Sequence, residues 1–435
     1  MEKLLEMARA RGCRAETYSI RARNLGMSKV NGAVSDVSAS IQSGVSLRII
    51  KDGKTGMAYT KNLMDREELL ANAMDSLAAG VQADYDFPAS GEMEHTEEYD
   101  PSVEDMNYDS LSEQIAGLEP LYRKMKGGVL NLHAGTGVTE IEIRNTSGAR
   151  LLHRDSDVYC MANMLYPGTA TGLRNIFQAR SRPVIHIPDA TRTVAFFNDS
   201  LPEIEVREGR MKVVLMPEVM YAFTWRLGSA SSGKAFHDKV SPLLEKKGKQ
   251  VISPMLSLVS DPATGETGTR LFDDEGVPAR AVPIFRDGIF TSVYNNLDYA
   301  AKLGEEPTGT GFRGGMWGGE PVSIAPSPSL SFARFSTGGA AFQEMLSMID
   351  RGIIVFGALG AHSGNILNGD LSIGLSPGIY VENGKVKGRV KDGMVAGNVY
   401  EMLSRTIAVE NSSHYTGSSY ENPAILLDDI SVVGS

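Results

Sequence analysis

The sequence predicts an α+β protein, with N-terminal helices on small antiparallel sheets and a C-terminal domain rich in antiparallel β-strands. Asp-Gly or Asn-Gly turn signals stand at 52–53, 287–288, 383–384 and 392–393, and 46 of the 435 residues are glycine. Helical periodicity is confined to a few short segments, while period-2 alternation recurs along the chain. The length calls for more than one domain. The expected division is residues 1–210, with subsegments of about 1–84 and 109–210 joined by an acidic linker, and residues 211–435 as the β-rich C-terminal domain.

In order, residues 2–11 place Leu4, Leu5 and Ala8 on one helical face. Short strands follow at 16–20, 34–41 and 45–50, the last after a break at Ser43-Gly44. Asp52-Gly53 suits the positive φ values of a type I′ hairpin turn, so 56–60 is the returning strand. Leu69, Leu70, Ala73 and Leu77 recur at helical spacing over 66–80, with Gly80 as the stop. Residues 85–108 are acidic and poor in apolar side chains, and read as the linker.

A helix over 110–124, begun at Asp109 or Ser110, leads to two long paired strands, 128–144 and 149–165. They turn at Asn145-Thr146-Ser147-Gly148. Residues 211–216 form an apolar strand, and Pro217 opens a helix running to about residue 227. Strands and turns then dominate, with helices at 340–350 and 398–406. The glycine-rich stretch 309–319 reads as a surface loop.

The net charge of −10 argues against a nucleic-acid partner. Cys13 and Cys160 lie too far apart for a zinc knuckle or a disulfide framework, and read as reduced buried thiols. Residues 1–14 lack the apolar core of a signal peptide, and no apolar run of about eighteen residues exists, so no membrane span and a cytoplasmic location are expected.

Few motifs carry chemistry. Gly228-x-x-x-x-Gly233-Lys234 follows a helix and is succeeded by Ala235, so it lacks the setting and the hydroxyl of a phosphate loop. The seven histidines are dispersed, with no pair spaced as metal ligands on one element. His237, beside Asp238, has two readings: turned toward a cleft, or a surface or capping residue. His362 sits beside Ser363 in a turn. Asp273-Asp274-Glu275 is a compact acid cluster. Three adjacent carboxylates are costly to bury, so a solvated turn is expected; the functional alternative is the rim of a cleft that handles a peptide amine or supports a neighbouring subunit's site.

Several stretches together resemble the TldD/PmbA family, and more closely its PmbA (TldE) branch. They are 43–48 with Asp52-Gly53-Lys54-Thr55-Gly56, Arg144 to Gly148, Phe272-Asp273-Asp274-Glu275-Gly276-Val277-Pro278, Asn368-Gly369-Asp370-Leu371-Ser372, 381–385 and Ala396-Gly397-Asn398. The resemblance implies a partner in proteolysis. TldD-type chains are zinc peptidases carrying His-Glu-x-x-x-His, and PmbA-type chains pair with them to cut unstructured peptides. The family also bears the label of modulator of DNA gyrase.

At the matching helix this chain has Thr224-Trp225-Arg226-Leu227-Gly228-Ser229, with Thr224, Trp225 and Ser229 at the motif positions. None can bind zinc or act as general base. No catalytic or metal residue is therefore assigned. Tyr221, Trp225 and Gly228 share a helical side, where Trp225 is expected to fill the volume of a metal centre.

The expected function is that of a non-catalytic subunit of a TldD/TldE-type metallopeptidase complex acting on unstructured peptides. No cofactor is expected in this chain, and zinc is expected in a TldD-type partner. Thr224, Trp225, His237, Asp273, Asp274 and Glu275 are the candidates for a peptide cleft or interface. The isolated chain is a candidate homodimer. The rivals are a stand-alone metallopeptidase using His237 or His362 with the Asp273 cluster, a peptide-binding scaffold without a peptidase partner and, more distantly, a DNA-binding modulator.

Overall fold

The computed structural model describes all residues except 265–267, 315–317, 417–420 and 435. The fold is α+β and rests on two large sheets. The first has seven strands: β1 (Arg14–Val30), β2 (Ala33–Lys51), β3 (Lys54–Thr60), β4 (Glu92–Glu98), β5 (Val129–Asn145), β6 (Arg150–Leu165) and β7 (Gly172–Ala179). The separate short strands expected between 16 and 50 are in fact two long ones. Ser43-Gly44 does not break β2, because antiparallel pairing with β1 runs from Arg14↔Ile50 to Val30↔Ala33. Asp52 and Gly53 take φ of 51° and 71°, the turn geometry that their pairing requires.

β1 also pairs with β5 over Glu16↔Asn145 to Val30↔Asn131, so both N-terminal subsegments share one sheet rather than building small separate ones. The stretch expected as a linker contributes β4, which runs parallel to β6. Helices α1 (Glu2–Ala10) and α2 (Arg66–Ser76) bury Leu4, Leu5, Leu69 and Leu70 against Leu47 and Ile49. Asp65 caps α2 by accepting from the Glu67 and Glu68 amides. Helix α3 (Tyr108–Leu118) starts earlier than expected: Asn107 is its cap, and Ser110 closes a capping box.

The second sheet has ten strands and begins with β8 (Glu203–Ile204) and β9 (Gly209–Leu215). β9 lies at its centre, antiparallel to Ile425–Val433 and parallel to Arg351–Val355. Asp287-Gly288 and Asn383-Gly384 form the expected hairpin turns. Asp392-Gly393 does not: Lys385–Val390 pairs with Gly378–Glu382 and β8, whereas Met394–Asn398 pairs with Asp370–Leu375. The chain turns there from one part of the sheet to another.

The two sheets are not independently packed. One continuous core joins Leu111, Leu132 and Met164 to Phe197 of helix α4 (Ile187–Asp199), and onward to Val214, Ile354 and Leu426. A second core buries Phe223 and Leu227 of helix α5 (Met220–Ser231) against Phe285, Phe335 and Ile373. Among the described residues no helix is long and apolar enough to cross a membrane. Cys13 and Cys160 are free and buried.

Candidate functional site

Helix α5 follows β9 through the turn Pro217–Val219. Its apolar side is set by Phe223, Leu227 and Ala230, which are fully buried. Thr224 is only half-buried, and its hydroxyl donates back to the Met220 carbonyl at 3.2 Å. Trp225 is also half-buried and Tyr221 is exposed, so the indole does not fill the core as expected. The helix turns its tightly packed side one residue further on.

That residue is Arg226, fully buried in mid-helix. Its Nε donates to Asp370 O at 2.8 Å, and its Nη1 to Ala222 O and Ala361 O at 3.0 and 2.9 Å. Its Nη2 donates to Ser363 O at 2.6 Å. Burial lowers its pKa, and only carbonyl oxygens accept its hydrogen bonds. A buried guanidinium thus pins α5 to the 361–370 segment. The sequence offered one signal that went unread: a lone charge inside the apolar run 219–230.

The acid cluster is the clearest departure from expectation. Asp273, Asp274 and Glu275 are all buried, with 0%, 4% and 0% of their surface exposed. Burial is tolerated because every carboxylate has donors. Asp273 accepts from the Glu275 and Val277 amides at 3.0 and 2.9 Å, and from the Gly311 amide at 2.8 Å. Asp274 takes Arg270 Nη2 and the Arg313 amide, both at 2.8 Å. Glu275 takes Arg48 Nη1 at 2.6 Å and the Leu297 amide at 2.7 Å. Arg48 also meets Glu16 at 3.0 Å, and Arg313 lies 3.6 Å from the same carboxylate.

Burial raises the Glu275 carboxyl while Arg48 opposes the shift, and burial with the neighbouring Glu275 raises Asp273. The cluster therefore clamps β1 and β2 to the C-terminal body, with its three side chains buried. The glycine-rich stretch takes part. Gly309 to Arg313 are buried, not surface loop, and a Cβ on Gly311 would lie 2.5 Å from Glu275 Oε2. Residues 315–317 of that stretch lie outside the described residues.

His237 ends the short helix α6 (Gly233–His237), exposed, with Nδ1 3.0 Å from Asp238. Its ring meets Tyr299 of helix α7 (Leu297–Leu303) edge-on at 5.9 Å. Thr224 and Trp225 share no hydrogen bond, ion pair or ring contact with the acid cluster among the described residues. The candidates thus fall into three places. Nor do the described residues gather three or more His, Cys, Asp or Glu as a metal site. With Thr224 hydrogen-bonded within its own helix and an indole at 225, the residues on α5 do not fit zinc.

Residues 208–434 match the PmbA/TldA metallopeptidase C-terminal domain, and residues 15–80 match PmbA/TldA metallopeptidase domain 1. The chain belongs to the PmbA/TldD metallopeptidase family. The metalloprotease PmbA homolog of Haemophilus influenzae is 24% identical over 453 residues, which covers 99% of this chain and 94% of that one. The fold is that of TldE from Thermococcus kodakarensis, with TM-score 0.88, 22% identity and full coverage of both chains. It also matches a proposed modulator of a DNA gyrase from Thermotoga maritima, with TM-score 0.83, 22% identity and 99% of each chain covered.

A second feature of this family member was not foreseen. A cavity of about 580 Å³ opens where β7 and α4 approach the carboxyl end of β9, residues 410–416 and Glu421. His414 lies in it between Glu410 and Asp189, at 3.1 and 3.5 Å. Burial works against its charged ring, but the two carboxylates outweigh burial and raise its pKa to about 9. Dispersed positions (174, 189, 218, 410 and 414) gave no local pattern from which to read this site.

Proposed function

We propose that this chain is the non-catalytic subunit of a TldD/TldE-type metallopeptidase complex, paired in the cytoplasm with a TldD-type zinc chain and helping to admit unstructured peptides. The observation that carries the reading is the state of α5. The chain matches the family's C-terminal domain over 208–434, and by the family resemblance Thr224, Trp225 and Ser229 correspond to the positions of the TldD branch's zinc motif. Arg226 ties the helix to the 361–370 segment by carbonyl hydrogen bonds, which a zinc-binding role does not require. The resemblance to TldE from Thermococcus kodakarensis supports the same branch. The half-exposed side of α5 at Thr224 and Trp225 is the candidate cleft lining.

An open strand edge is one surface for partner docking or peptide recognition, and β2 has one. Over residues 33–44 it pairs with β1 alone, leaving Val34, Val37 and Ile41 exposed by 57%, 50% and 83%. An exposed strand of this kind accepts another chain through main-chain hydrogen bonds. Co-expression with a TldD-type chain tests the pairing. The two are expected to co-purify, with zinc found only in the partner; stoichiometric zinc in this chain alone would overturn the reading.

A further inference from the structure

β4 is held to the edge of β6 by few contacts, and one of them can titrate. Pairing is continuous only over Glu92–His95 and resumes at Glu98↔Asp155. At one end the Arg150–Glu92 pair, at 3.4 Å, is exposed on both sides and contributes little. At the other, Arg180 holds the buried Glu98 at 2.5 Å. In the middle, His95 of β4 and His153 of β6 are 4% and 0% exposed, with their Nδ1 atoms 3.1 Å apart.

The proton count of this contact follows from its surroundings. His153 Nε2 lies 3.1 Å from Asp155 Oδ2, so it carries the hydrogen given to that carboxylate. His153 Nδ1 is then the acceptor, and the His95 Nδ1–H donates to it. The charged groups facing the pair are Glu97 and Glu98 on β4, Asp155 on β6, Arg180 just beyond β7, and Arg270 of the C-terminal body. Phe272, from the same body, meets the His153 ring edge-on at 6.5 Å. Arg180 occupies Glu98, and Asp274 occupies Arg270 at 2.8 Å. One added proton can sit on His95 Nε2 with the contact kept, although burial disfavours it. A second must go to His153 Nδ1, which sets a donor against a donor.

We propose that β4 is an acid-released strap: protonation of both imidazoles frees residues 92–98 from β6 while the rest of the sheet stays paired. Release uncovers the β6 edge from Arg150 to Asp155, a row of main-chain groups open to strand addition. It also loosens the stretch before β4. There Ser90 Oγ donates to Gly276 O at 2.5 Å, and Asn145 Nδ2 donates to Pro88 O at 2.8 Å. Gly276 directly follows the acid cluster, so the strap is tied to the clamp between the first sheet and the C-terminal body. The device acts whether or not a peptidase partner exists.

The test is hydrogen exchange of the full chain, read by mass spectrometry at about pH 7.5 and about pH 5, with rates corrected for the intrinsic effect of pH. Opening that takes up protons at released imidazoles is expected to lower the protection of 92–98 by about tenfold or more between the two conditions. Residues 129–145 of β5 are expected to stay about a hundredfold better protected at the lower pH. His95→Phe keeps a ring in place and removes one titrating group, so the fall in protection of 92–98 should shrink severalfold. Unchanged protection of 92–98 in the native chain overturns the proposal. So does exchange of 92–98 and 129–145 together, which is global unfolding, or a fall in His95→Phe as large as in the native chain. Should His95→Phe not fold, the two native-chain readouts decide.

Discussion

Arg48 and Glu275, 227 residues apart in the chain, meet at 2.6 Å with both side chains almost wholly removed from solvent. Arg48 comes from β2 and Glu275 from the acid cluster, so their contact joins the first sheet to the C-terminal body. Glu16 completes the bridge from β1 at 3.0 Å.

Breaking this pair from one side leaves a charge buried without its partner. Arg48→Met or Glu275→Gln is expected to destabilise the fold by about 3–5 kcal/mol in urea unfolding. The double variant should cost less than the sum of the singles, by about 1–3 kcal/mol of coupling. Additive losses would show that the two do not act as a pair.

Arg226 supports a parallel argument with no carboxylate involved. Arg226→Met leaves the carbonyls of Ala361, Ser363 and Asp370 without their donors, at an expected cost of about 3–5 kcal/mol. Arg226→Lys keeps the charge but cannot reach all of them, and should fall between the two. A change below about 1 kcal/mol for Arg226→Met would show that water replaces the guanidinium without loss.

Two histidine groups give stability opposite dependences on pH. His95 and His153 place their Nδ1 atoms 3.1 Å apart, and burial lowers both pKa values. The unfolded chain therefore binds their protons more readily, and this contribution is present above pH about 6.5 and lost as pH falls through the folded values. His414 behaves in reverse. Its contribution is complete below about 6.5 and is lost as pH rises through about 9. Urea midpoints measured from pH 5 to 10 should fall at both ends. His414→Gln should flatten only the alkaline fall, and His153→Phe only the acid one; an alkaline fall that survives His414→Gln contradicts the assignment.

Local patterns made the elements legible. Asp52-Gly53 announced its hairpin, and the Leu69, Leu70 and Ala73 spacing announced α2. What stayed hidden depends on distant partners. Asp273 to Glu275 look solvated until Arg48 and the Arg313 amide are brought to them from two distant places in the chain, beside the nearby Arg270. β4 looks like a linker because its seven residues, Glu92–Glu98, are mostly acidic and are held by pairing with β6 rather than by any alternation of their own. The cavity residues 174, 189, 218, 410 and 414 come from separate elements, so no window of sequence contains them.

The central claim is that α5 has kept the family scaffold and lost the chemistry. Its most direct measurement is hydrolysis of an unstructured peptide by this chain alone, by a TldD-type partner alone and by the co-purified pair, each with zinc present. The account predicts no cleavage by the lone chain and cleavage by the pair. Turnover by this chain alone would contradict it, and loss of that turnover in Trp225→Ala would place the chemistry on α5 itself.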